Sequence, residues 1–250
     1  MNKKHINSFK RPTPSIKPKK TGLDLIDSNF NVPLKSFHDN VHKIRVLLSQ
    51  NPEDKNIYRY SIVLICGALD KYMHDIVKVM ILQIFKGNTS PGKNFDEFLI
   101  PISLLDKFDK SSYDIEEKEK ILNESLYEII SGFTILKSYA IERNMNYIIN
   151  FNIWKAILPR MMMRFKELNS VSQLKKFIDN LVERRNIIAH ELDFMPNSQD
   201  KYDITYKYVE NVIDVIQYFV ESINYQIRDS LLNYKGDTEP KGDSESKKGD

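Results

Sequence analysis

Cysteine is almost absent: 250 residues contain one, Cys66. That excludes a disulfide framework, a cysteine-built zinc site and a CxxC redox centre, and it points to a reducing compartment. Glycine is scarce too, with eight residues, and Gly236, Gly242 and Gly249 lie near the end of the chain. What remains cannot build a P-loop or a GxGxxG dinucleotide turn. Long apolar runs are missing. The longest, Ile62 to Leu69, is far short of the ~20 residues that a membrane span needs. The first residues alternate lysine with proline and polar side chains, unlike the apolar segment of a signal peptide. A soluble, cytoplasmic protein is the expectation.

Charge of one sign is also nearly absent, with 37 Lys+Arg against 34 Asp+Glu and a net +3. Residues 1–20 hold seven basic side chains and no acid, so residues 21–250 carry −4. The body therefore has no surplus to grip a phosphate backbone broadly, and the basic tail supplies only loose, salt-sensitive attraction. Residues 1–22 set Pro12, Pro14 and Pro18 among lysines, and residues 235–250 repeat Lys-Gly-Asp. Neither stretch has the apolar surface to repay its ordering entropy, so both are expected to be flexible.

Residues 23–234 read as one all-α domain. Phe37, Val41, Ile44, Leu47 and Leu48 predict a first helix of about 15 residues that stops before Pro52. A second runs from Ile57 to Phe85 and closes at Gly87, with Ile62, Ile65, Leu69, Met73, Ile76, Met80 and Ile84 as its stripe. Pro91, Gly92 and Pro101 mark a loop. Helices over Glu116–Leu136 and Tyr139–Phe165 follow, the latter with a break expected before Pro159. Ser170 and Gln173 form a capping box that opens a helix through Leu174, Ile178 and Leu181, ended by Pro196. The last helix covers Tyr202–Leu232. Trp154 and the run Met161-Met-Met163 read as core.

Five histidines are few enough to weigh singly. His5 sits in the basic tail. His38 and His42 share a helix face, but two ligands without a third make a weak metal site, and a solvated helix edge explains them as well. Arg185-Asn-Ile-Ile-Ala-His190 carries more chemistry. An imidazole that titrates near neutrality moves protons to and from oxygen, and a guanidinium holds fixed charge against an oxyanion at phosphorus. No metal or other cofactor is needed for that. The spacing alone proves nothing, since Arg185 capping a helix end and His190 meeting a last-turn carbonyl would look the same. Arg184 also fits, with a longer gap. On an unbroken helix Asn186 and His190 share a face, whereas Arg185 and His190 leave it about 140° apart. Asp70 and His74, four apart on the second helix, serve either the site or the packing of the bundle.

With its neighbours, Arg185-Asn-Ile-Ile-Ala-His190 resembles the HEPN superfamily motif, Arg-x4–6-His with a polar residue directly after the arginine. Gly67-Ala-Leu-Asp-Lys-Tyr-Met-His-Asp75 is similar to the Ala-Leu-Asp-x-Tyr-x-His helix of the RiboL-PSP-type HEPN families. The resemblance implies a helical bundle that dimerises and sets two motifs across a cleft. It also implies a metal-independent endoribonuclease of a bacterial defence or toxin system, acting on RNA and restrained by a regulatory or antitoxin partner. By position, Arg185 stabilises the scissile phosphate and His190 is the general acid/base. Asn186 orients the pair, Asp70 positions the Arg185 guanidinium and His74 is accessory. The same fold without catalysis, as a binding or regulatory partner, is the alternative.

Overall fold

The computed structural model of the chain describes residues 28–111, 114–132 and 134–234. The expected flexible tails, residues 1–22 and 235–250, lie outside the described residues. Eight α-helices account for the described chain: α1 Ser28–Gln50, α2 Lys55–Phe85, α3 Ile102–Lys110, α4 Ile115–Ser131, α5 Ser138–Ile148, α6 Ile153–Arg164, α7 Val171–Glu191 and α8 Tyr206–Leu232. A short 3-10 turn covers Phe95–Glu97, and among the described residues the one β-type pairing is an isolated antiparallel bridge, Phe194 to Lys201. No helix among them is long and apolar enough to cross a membrane.

α2 is the axis of the bundle and packs against α1, α4, α5, α7 and α8. Its stripe from Ile62 to Met80 is buried, and so are Ser61, Cys66, Tyr72, Val77 and Gln83 off that stripe. A helix that is apolar around most of its circumference belongs in the middle of a fold. Asp54 caps it, its carboxylate accepting from the Asn56 and Ile57 amides, and Gly87 ends it with φ at 75°. α8 lays Val209, Ile213, Ile216, Phe219, Val220, Ile223 and Ile227 into the same core.

Several boundaries differ from the sequence reading, each for a local reason. α1 starts well before Phe37 because Phe30, fully buried, anchors an earlier turn, and Pro33 is accommodated near the helix start. The loop after Gly92 contains α3, nine residues held by Leu104 and Phe108 one turn apart. α4 ends at Ser131, so Leu136 packs from a linker. The stretch from Tyr139 breaks after Ile148 and not at Pro159. Asn152 caps α6, accepting from the Lys155 amide, and Pro159 sits inside that helix. Met161 and Trp154 are core, but Met162 and Met163 are exposed. α7 stops at Glu191, ahead of Pro196, and α8 starts at Tyr206, where Thr205 caps it.

Two glycines make opposite demands. A Cβ on Gly92 would land on the backbone of Asn146 to Ile148, where the Gly92 amide also donates to the Tyr147 carbonyl at 3.1 Å. A Cβ on Gly67, midway along α2, would meet nothing within 4 Å. Glycine inside a helix costs roughly 0.5–1 kcal/mol relative to alanine. Gly67→Ala is therefore expected to raise stability by about that amount, and Gly92→Ala to lower it. Urea denaturation of the two variants checks both signs.

Candidate active site

The capping of α7 follows from its first residues. Ser170 Oγ accepts from the Gln173 amide at 3.2 Å, and Gln173 Oε1 accepts from the Asn169 amide at 3.0 Å. Leu174, Ile178, Leu181 and Val182 then bury one face, and the helix continues unbroken through Glu191. It ends in a left-handed turn, Leu192 at φ 51° and Asp193 at φ 69°, whose two amides close on the Ile187 carbonyl. Two consecutive non-glycine residues in that region cost of order 1–3 kcal/mol each unless the surroundings impose them.

What imposes them is the Asp193 carboxylate, fully buried between two arginines. Arg59 of α2 donates its Nε–H to Asp193 Oδ2 at 2.7 Å. Arg184 of α7 places Nη1 2.7 Å from Oδ1 and donates from Nη2 to Oδ2 at 2.8 Å. The remaining donors are used as well. Arg59 reaches the Tyr202 and Lys55 carbonyls, and Arg184 reaches the Asp203 carbonyl while stacking 5.0 Å from the Tyr202 ring. The Tyr202 amide donates back to the Asp193 carbonyl, which closes the small Phe194–Lys201 turn beneath. Sequence reasoning missed this cluster. Its only signal was an aspartate just past a helix end, with the two arginines on other turns.

With Arg184 committed to Asp193, the neighbouring Arg185 has different surroundings. It is half-buried, donates from Nη1 to Asn186 Oδ1 at 3.0 Å, and its buried Nε–H has no hydrogen-bond partner among the described residues. Its charge reaches α2, where it pulls on the Cys66 thiol. Burial dominates there and pushes that thiol up to about 12, with the Asp70 charge adding to the rise. His190 is exposed in the last turn of α7 and makes no hydrogen bond to any described residue. Because the helix does not loosen at Ala189, Arg185 and His190 leave it on different flanks, about 140° apart.

Asp70 takes the packing role, one of the two open to it from the sequence. Its carboxylate accepts from the Ile135 amide at 2.7 Å, which pins the α4–α5 linker onto α2, and it makes no hydrogen bond with Arg185. His74 lies with Nδ1 2.7 Å from the Asp70 carbonyl and 3.6 Å from Asp70 Oδ1. A carbonyl only accepts, so Nδ1 carries the proton. His38 is 3.0 Å from Glu221 of α8, and His42 lines a separate cavity with Arg45 and Tyr206. Among the described residues no three His, Cys, Asp or Glu side chains gather as a metal site.

A family model described as RiboL-PSP-HEPN matches residues 31–229, which takes in α2, the Asp193 cluster and the whole of α7. No curated protein and no solved structure matches the chain.

Removing one partner from a buried ion pair leaves the other uncompensated, at about 3–5 kcal/mol. Asp193→Ala strips two arginines at once and is expected to lose at least that much in chemical denaturation. His190→Ala, on an exposed and unbonded side chain, is expected to stay within about 0.5 kcal/mol of the unsubstituted protein.

Proposed function

Because the chain belongs to the RiboL-PSP-HEPN family, we propose that it is a metal-independent endoribonuclease of a bacterial defence or toxin system. One observation carries the reading. Of two adjacent arginines, Arg184 is locked to Asp193, while Arg185 keeps an N–H without a partner among the described residues, on the helix end that also carries the exposed His190.

The chemistry needs only the RNA and these side chains. His190 as base takes the proton of a ribose 2′-hydroxyl, and that oxygen attacks the adjacent phosphorus. Negative charge grows on the non-bridging oxygens, where the Arg185 guanidinium meets it with two parallel N–H donors. The 5′-oxygen leaves with a proton taken from water, giving a 2′,3′-cyclic phosphate and a 5′-hydroxyl. The divergence of Arg185 and His190 along α7 keeps one chain's pair from meeting at one phosphate. Two copies facing each other pair the Arg185 of one with the His190 of the other, so the working unit in this reading is a homodimer with a composite cleft. A regulatory or antitoxin protein that covers this cleft would restrain it.

Asn186, bonded to the Arg185 guanidinium, holds its plane. Its truncation is expected to lower kcat more than it raises KM in steady-state cleavage kinetics, since the guanidinium it orients meets charge that develops only in the transition state.

Incubation of the purified protein with RNA in EDTA tests the reading. Cleavage is expected to persist, leaving cyclic phosphate ends, and to fall by a factor of about 100 or more in His190→Ala and Arg185→Ala. Cleavage that needs added metal, or that survives both substitutions, would contradict it. A folded protein that binds RNA but never cuts it would leave the bundle as a binding or regulatory partner.

A further inference from the structure

The solvent face of α2 carries Tyr60, Leu64, Gly67, Lys71, His74 and Lys78, spaced four and three apart down one side. Over the middle of this face, where α4 packs against α2, opens a cavity of ≈ 300 Å³. That is the low end of the size range for small-ligand pockets, enough for one nucleoside unit and too little for a duplex. Gly67 lines it from α2, and Tyr127, a residue 70% exposed, lines it from α4.

Gly67 has no explanation within the fold. Its backbone is ordinary right-handed helix, and no atom lies within 4 Å of where a Cβ would sit. Almost any other residue would strengthen α2 at no steric cost. What the missing side chain provides is open space at the cavity edge, which lets a ligand approach the helix backbone closely.

The groups around that space suit a nucleotide. Lys78 makes no ion pair among the described residues, and Lys71 is held only by the surface pair with Asp75, one turn along. An exposed pair of that kind contributes little and exchanges readily for a phosphate. An exposed tyrosine ring is a stacking platform for a base. The Asp70 and His74 side chains also line the cavity. The cavity adjoins the proposed centre: α7 is tied alongside α2 at Arg59 through Asp193 and Arg184, and near Asp70 through the linker whose Ser138 is held by Asp179, so the part of α7 that carries Arg185 runs level with Gly67.

We propose that the cleft over Gly67 is a nucleotide subsite of the Arg185/His190 centre, taking one nucleoside unit of single-stranded RNA next to the scissile phosphate. The base stacks on Tyr127, and the phosphate on the far side of that nucleoside meets Lys71 and Lys78. The assignment rests on the RNA-cleavage reading, but its own test separates the two.

Binding of a short fluorescein-labelled oligouridylate to the full chain carrying His190→Ala gives a readout without turnover. Adding Gly67→Leu, which fills the cleft, is expected to weaken binding about tenfold or more while thermal stability is kept or raised. Tyr127→Ala, an exposed position that leaves the core untouched, is expected to weaken it by a similar factor. Lys78→Ala should reduce the salt slope by about one. In the background with His190 intact, Gly67→Leu is expected to slow RNA cleavage correspondingly. Folded Gly67→Leu and Tyr127→Ala proteins that bind and cut as the unsubstituted chain does would overturn the subsite and leave the cleavage reading standing. Gly67-dependent binding in a protein that never cuts RNA would support the subsite and overturn the cleavage.

Discussion

One buried carboxylate holds this structure's functional end in place. Asp193 sits between Arg59 of α2 and Arg184 of α7, at the turn that leads to α8. Taking three ionised groups out of water is expensive, and the cost is offset only where geometry is good and the remaining donors are satisfied. The Lys55, Tyr202 and Asp203 carbonyls take donors of both arginines, and Oδ2 accepts from both, while Oδ1 faces Arg184 Nη1 as an ion pair without an aligned hydrogen bond. In exchange the cluster fixes three elements at one point and forces Leu192 and Asp193 into the left-handed region. It also decides which arginine is available: Arg184 is structural, and Arg185 beside it is not tied to any carboxylate.

The same cluster resolves the charge balance. A body at −4 looks unsuited to a polyanion, yet this corner gathers two guanidiniums, those of Arg59 and Arg184, around a single carboxylate, with Arg185 next along α7. Local surplus positive charge in a low-dielectric setting acts more strongly on a phosphate than the same charge spread over a surface. Attraction is thus focused where the chemistry is proposed and is weak elsewhere, which favours recognition of a particular phosphate over general adhesion to RNA.

Local signals were legible and long-range ones were not. The α2 stripe, the Gly87 stop and the Ser170/Gln173 cap are short-range patterns, and the structure reproduces each. Proline is the conspicuous breaker, so the sequence points to Pro159, yet that residue sits inside α6, beyond its first turn, and removes only the one N–H that would reach the Lys155 carbonyl. The real signal, an asparagine that caps α6, is quieter. α3 was too short to show a full period. Asp193, whose partner Arg59 is 134 positions away in sequence, could not be read at all, because nothing local distinguishes a carboxylate that will be buried. The sequence leaves Asp70 two readings, site or packing, and its packing partner is a backbone amide in a linker, which has no residue identity to find.

A composite cleft requires Arg185 and His190 to work from different copies of the chain. Mixing Arg185→Ala with His190→Ala protein, each inactive alone, tests it directly. After subunit exchange half of the dimers are mixed, and one of the two sites in each is intact. Cleavage should therefore return to about a quarter of the unsubstituted rate in a two-fold symmetric dimer. Mixed dimers that form and remain as inactive as either parent would contradict the composite site.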